Sequence, residues 1–133
     1  MEETSRAPMS APELVALASQ ADPSRPCPAC NALRCPGWEA MPGGFDRSSL
    51  VRVGTLLDPR LAEPTLDEFH PDGTHRWSPQ APIAVGHHPY NLCAVWQCGT
   101  CCRVYLRYTE YGGYYEEERV RSVDPERVIV SDT

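Results

Sequence analysis

The sequence predicts a small, loop-rich α+β protein with a short N-terminal helix and a mostly antiparallel sheet of four to six strands. Three observations lead there. A capping signature opens a short apolar-periodic stretch near the N-terminus, and the C-terminal third carries consecutive strand-like runs separated by turn residues. In addition, 14 prolines spread over the first 125 of 133 residues cut the rest of the chain into short pieces. The length suits one domain, with residues 1–9 read as a flexible tail and 10–133 as a single unit.

Taken in order, residues 1–9 are polar and without period, which suits a loose terminus. Ser10-Ala11-Pro12-Glu13 has the spacing of a capping box. Leu14, Val15, Leu17, Ala18 and Ala21 then recur at helical spacing, so a helix is expected over 11–21, stopped by Asp22-Pro23. Between Pro23 and Gly44 the prolines and glycines leave no room for a helix or a long strand. Leu50–Leu57 reads as a strand ended by Asp58-Pro59. Thr65–Phe69 and His75–Trp77 flank an Asp72-Gly73 pair that suits a tight hairpin.

Three further strands are expected at Leu92–Gln97, Arg103–Tyr111 and Tyr114–Val123, with Gly112-Gly113 supplying the positive φ of a two-residue turn. Alternation places Val104, Leu106 and Tyr108 on one face of the middle strand and Arg103, Tyr105 and Arg107 on the other, one face buried and one wet. Asp124-Pro125-Glu126 has the residues of a single capped helical turn.

The formal net charge of −6 argues against a general nucleic-acid or anionic-membrane binder, because such binding is dominated by phosphate neutralisation. All twelve basic residues are arginine; they are dispersed along the chain, and the absence of lysine reads as a compositional bias. No run approaches the roughly 18 apolar residues of a membrane span, and the acidic Met1-Glu2-Glu3 start is unlike a secretory signal. The expected compartment is therefore the cytoplasm, where the seven cysteines would be metal ligands or free thiols rather than disulfides.

The strongest chemical signal is a pair of pairs: Cys27-Pro28-Ala29-Cys30, and Cys98-Gly99-Thr100-Cys101 just before a strand. Two residues between cysteines let both sulfurs of a tight turn converge on one ion, and two such turns complete a tetrahedral four-thiolate set. Asn31 after the first pair tolerates the left-handed conformation such a turn often needs there, whereas Cys102 after the second pair fits that need poorly. Cys35, Cys93 and Cys102 are spare: Cys35 could displace a ligand, while Cys93 and Cys102 fit packing in the sheet.

With these two pairs and the hairpin after the second, the sequence resembles a zinc ribbon, the rubredoxin-like family of two knuckles on a small antiparallel sheet. The resemblance covers about a third of the chain and implies Cys27, Cys30, Cys98 and Cys101 as the metal ligands. The departure is the 67 residues between Cys30 and Cys98, against roughly 15 to 20 in the usual pattern. Closing the longer loop costs only about 1 to 1.5 kcal/mol more, against about 10 to 16 kcal/mol of apparent zinc binding free energy. Iron suits four thiolates equally and would imply an electron carrier. Dithiol redox chemistry at Cys27/Cys30 would need a helix starting at the first cysteine, which Cys35-Pro36-Gly37 does not allow.

Two further groupings carry expectations. Five of six tyrosines lie between 105 and 115, with Trp96 and several arginines nearby. Equal numbers of arginine and glutamate on these strands leave no funnel for nucleic acid, so Trp96, Tyr105, Tyr108 and Tyr115 are read as a surface for a protein partner. His70, His75, His87 and His88 lie near Asp67, Glu68 and Asp72, where an acid–base site around His70 and Asp72 is conceivable. No catalytic motif occurs. The leading expectation is a cytoplasmic zinc-stabilised adaptor or accessory protein; the alternative is an iron-thiolate carrier or an enzyme using His70 and Asp72.

Overall fold

A computed structural model describes residues 8–22, 24–33, 35–60 and 63–130. Of the expected N-terminal tail, residues 1–7 lie outside the described residues; Met9 is described, and its N–H donates to the Thr55 carbonyl at 2.8 Å.

Helix α1 runs Ala11–Ala18. Its capping box forms as expected: the Glu13 N–H donates to Ser10 Oγ at 3.2 Å and the Ser10 N–H to Glu13 Oε1 at 2.8 Å. These bonds satisfy two donors that a helix start leaves orphaned. The helix ends three residues earlier than expected. Gln20 and Ala21 bond back to Leu17 and Ala18, an i→i−3 pattern that tightens the chain after the last buried contact at Ala18.

Five strands follow: β1 Glu39–Ala40, β2 Leu50–Thr55, β3 Ala94–Cys98, β4 Val104–Tyr111 and β5 Glu116–Ser122. They form one antiparallel sheet in the order β1-β5-β4-β3-β2, which makes the chain the small α+β protein expected. β3 starts later than expected because Tyr90–Leu92 is a 3₁₀ turn. The β2–β3 register shifts between Arg52 and Gly54, leaving Val53 as the extra, unpaired residue of a bulge. Asp124 caps the short 3₁₀ turn Pro125–Arg127, with the Glu126 N–H on its carboxylate at 3.0 Å.

Two turns differ from expectation. The β4–β5 hairpin closes at the Tyr111–Glu116 pair through a four-residue loop rather than a two-residue turn, and neither Gly112 nor Gly113 has positive φ. A Cβ at Gly112 would meet the exposed Tyr115 ring at 2.4 Å, and that ring would have to turn aside. Residues 65–77 form no hairpin strands. Gly73 does make its turn, at φ +84 and with its N–H on the His70 carbonyl. The flanking backbone, however, bonds to the 88–91 segment: the His88 N–H donates to the Asp67 carbonyl at 2.9 Å, and Asn91 Nδ2 to the Thr65 carbonyl at 2.9 Å.

Both faces of the sheet are covered at the cysteine end, so the expected wet face is found only towards the β4–β5 hairpin, where Arg107 and Glu118 are half-buried and Thr109 is exposed. On one face Val95, Val104, Leu106 and Tyr108 pack with Leu14 and Ala18 of α1, Ile83 and Trp38. On the other, Tyr105, Val120 and Leu50 pack with Leu33, Met41 and the cysteines. Tyr105, assigned to the wet side by alternation, is fully buried there. Alternation decides which face a residue points to; what covers that face comes from residues 27–50, whose path has no periodic signal.

Candidate metal centre

The sulfurs of Cys27, Cys30, Cys98 and Cys101 all lie within 4.8 Å of one another. Cys27 Sγ is 3.8 Å from Cys98 Sγ, and Cys30 Sγ is 3.6 Å from Cys101 Sγ. Four sulfurs placed about 2.3 Å from a central ion form a tetrahedron with edges of about 3.8 Å; two of the six separations match that edge and all six lie within 4.8 Å. The separations are far beyond the roughly 2.05 Å of a disulfide. The arrangement is compatible with a zinc-ribbon-like site.

Each pair is shaped by its own backbone. In the first, burial opposes ionisation of Cys27, but the N–H groups of Cys30 and Ala29 and the neighbouring thiols bring its pKa down to about 7. In the second, the Cys98 N–H donates to the Arg103 carbonyl at 2.8 Å, the Cys102 N–H to the Cys98 carbonyl at 3.0 Å, and the Thr100 N–H reaches Cys98 Sγ at 3.4 Å. The Gly99 N–H donates to the Ser49 carbonyl at 3.0 Å and docks this turn on the start of β2.

The left-handed residue is Cys102, at φ +70; Asn31 instead opens the 3₁₀ turn Asn31–Leu33. The sequence favours Asn31 for a left-handed position and makes Cys102 a poorer fit for one, and the structure has the reverse. The second turn reverses directly into β4 and needs the sharper bend, whereas the first runs on into a helical turn closed by the Leu33 N–H on the Cys30 carbonyl.

Burial separates the four thiols. Cys30 is pushed up to about 12, chiefly by burial and further by its neighbours Cys101 and Cys98, and Cys101 is raised mainly by burial. Cys27, Cys30 and Cys98 are buried, and Cys101 is partly exposed. A divalent ion entering the site must displace protons, so binding couples to pH.

The spare cysteines stand apart from the quartet. Cys35, buried, donates to the Leu33 carbonyl at 3.0 Å, and burial pushes its pKa up to about 12. Cys93, also buried, donates to the Pro89 carbonyl at 3.4 Å. Cys102 is exposed.

Two residues near the quartet had no assigned role there. Arg103 Nη1 lies 4.0 Å from Cys30 Sγ, and the buried Tyr105 has the Cys30 sulfur and the Arg103 guanidinium as polar neighbours. Strand alternation after Cys101 puts 103 and 105 on one face, a signal that could have found them.

The histidine grouping resolves differently. His70 Nδ1 pairs with Thr74 Oγ1 and Nε2 with Glu68 Oε1, both at 2.8 Å, while Arg76 Nε donates to Glu68 Oε2 at 3.0 Å. Both ring nitrogens are engaged and Asp72 makes no contact with them among the described hydrogen bonds, so the ring acts as a strut of the loop. In the aromatic grouping, Tyr105 and Tyr108 are 0% and 7% exposed, Trp96 is half-buried beneath Arg107, whose guanidinium carbon lies 4.2 Å from the ring centre, and Tyr115 is exposed. Comparison with protein-family models, curated proteins and solved structures finds no match. Among the described residues, no helix is long and apolar enough to cross a membrane.

Proposed function

We propose that this is a small zinc-stabilised protein, in which Cys27, Cys30, Cys98 and Cys101 bind one structural ion, and that it serves as a protein-binding adaptor or accessory factor in the cytoplasm. The observation that carries the reading is the convergence of four sulfurs, drawn from turns 71 residues apart in sequence, to within 4.8 Å of one another. An ion there would join the N-terminal third to the β3–β4 turn, adding cohesion to a proline-rich chain. With four cysteine thiolates and a divalent cation the centre carries a formal charge of −2.

The partner surface narrows to Trp96 and Tyr115 from the expected set, since Tyr105 and Tyr108 are core residues. The exposed Tyr111 and Tyr114 flank Tyr115 at the hairpin loop, and exposed tyrosines are favoured in protein contacts. A reducing compartment would keep the thiols available for metal.

Elemental analysis of the chain purified without chelator tests the metal. One zinc per chain and no visible absorbance supports the reading. A thiolate-to-iron band with one iron per chain replaces zinc with iron and the adaptor with an electron carrier. No metal and seven reactive thiols after denaturation would remove the centre altogether.

A further inference from the structure

β4 leaves the second cysteine turn so that Arg103 and Tyr105, two residues apart, point to the same side as the quartet. Arg103 reaches one sulfur of the quartet, and Tyr105 is buried in the same cluster as that sulfur. Arg103 Nη1 lies 4.0 Å from Cys30 Sγ, and its Nη2 donates to the Arg25 carbonyl at 3.3 Å, just before the first cysteine turn. One guanidinium therefore bridges the two halves of the centre. The Tyr105 side chain is fully buried, and its hydroxyl has no conventional hydrogen-bond partner among the described residues. Its polar neighbours are the Cys30 sulfur and Arg103.

A buried hydroxyl without an acceptor is costly, and a neutral thiol is a weak acceptor. A metal-bound thiolate carries charge and is a much better one. We infer that Arg103 and Tyr105 form an outer hydrogen-bonding layer that converges on the Cys30 thiolate and holds the metal through it. This rests on the reading of the quartet as a metal site and adds two positioning residues to it. The layer works by charge and direction. The guanidinium offsets part of the −2 of a loaded tetrathiolate centre, and the phenol O–H stabilises the lone pairs of the sulfur it faces. The other three sulfurs are served by backbone N–H groups of their own turns or by neighbouring thiols, which leaves Cys30 as the ligand supported by side chains.

The test uses the full-length chain loaded with Co²⁺ as a spectroscopic probe, comparing wild type with Tyr105→Phe, Arg103→Lys and Arg103→Ala. Competition with a chelator should show roughly tenfold weaker cobalt binding in Tyr105→Phe and Arg103→Ala, with Arg103→Lys retaining part of the loss. The thiolate-to-cobalt charge-transfer band should move to lower energy in the two weakened variants, because a sulfur that loses a hydrogen bond is easier to oxidise. Metal-free Tyr105→Phe should be at least as stable as metal-free wild type, the opposite of a packing role for the hydroxyl. Wild-type affinity and an unmoved band in both Tyr105→Phe and Arg103→Ala would overturn the inference while leaving the metal site intact. Failure of wild type itself to bind cobalt would overturn the site reading and the inference with it.

Discussion

The Arg121 guanidinium, on β5, donates from Nη2 to the Ala81 carbonyl at 2.8 Å, joining a strand to a loop 40 residues earlier in the chain. It is 1% exposed. Its other donors reach the Pro36 carbonyl at 2.8 Å, the Pro79 carbonyl at 3.2 Å and the Tyr90 hydroxyl. Three loop segments without strand pairing thus hang from one side chain. The planar fork of arginine supplies directed donors that lysine cannot match.

Arg121→Met should therefore be among the most damaging single changes in the fold. The buried Ala81 carbonyl and Tyr90 hydroxyl and the partly buried Pro36 and Pro79 carbonyls lose a donor, and each buried group left unsatisfied costs about 1 to 3 kcal/mol. A loss of at least about 3 kcal/mol is expected in urea unfolding, with Arg121→Lys intermediate because it keeps the charge without the fork. A shift under about 1 kcal/mol for Arg121→Met would mean that water replaces these bonds and the loops stand on their own.

Thiol chemistry separates the quartet from the spares. Cys35 and Cys93 are buried and Cys102 is exposed, so if metal fills the quartet a thiol reagent should modify one cysteine rapidly and the rest only after chelation or unfolding. Cys98→Ser should lose the metal and become protease-sensitive, whereas Tyr115→Ala should keep its full metal content. Retained metal in Cys98→Ser, or metal loss in Tyr115→Ala, would mean that the ligands lie elsewhere.

The parts that could be read in advance share a property: their signal is local. The capping box at Ser10 and Glu13, the runs that became β2 to β5, and the two CxxC turns each depend on residues within a few positions of one another. The misread parts depend on distant partners. The sheet's second face looked wet because nothing near Tyr105 in sequence announces that Leu33 and Met41 will cover it. The 65–77 segment had a good turn at Asp72-Gly73, but its N-terminal flank bonds to residues 88–91. Even within the quartet, the choice between Asn31 and Cys102 for the left-handed position went to the less suitable residue, because the path into β4 decides it.

That last position makes a direct stability test. Cys102 is exposed and at φ +70, a conformation that costs a side chain about 1 kcal/mol and glycine nothing. Cys102→Gly should stabilise the fold by about 0.5 to 1 kcal/mol, less than the full strain because glycine also loosens the unfolded chain. Cys102→Val should destabilise it, since a β-branched residue tolerates positive φ worst. Thermal unfolding of the metal-loaded variants reads both signs, and a valine variant as stable as the glycine one would show that the turn is unstrained.

Acid should act through two glutamates as well as through the thiols. Glu118 lies between Arg107 and Arg47, and Glu68 between His70 and Arg76. Burial opposes the charge on each, but hydrogen bonds and the arginine charges prevail and hold both carboxyls below their ordinary value of 4.5. A carboxyl more acidic in the folded chain than in the unfolded one contributes stability that is fully present above the unfolded value and lost as pH falls through the folded value. Protonated thiols release metal in the same direction, so wild-type acid unfolding alone would not isolate the carboxylates. The difference between wild type and Glu118→Gln does. At pH 7 the variant should be less stable by about 1 kcal/mol, a figure kept modest because the pair is partly solvated. The gap should close as pH falls below about 4.5, because the wild-type carboxyl then becomes neutral like the amide. A gap that stays constant from neutral pH to pH 3 would mean that Glu118 contributes by shape and not by charge.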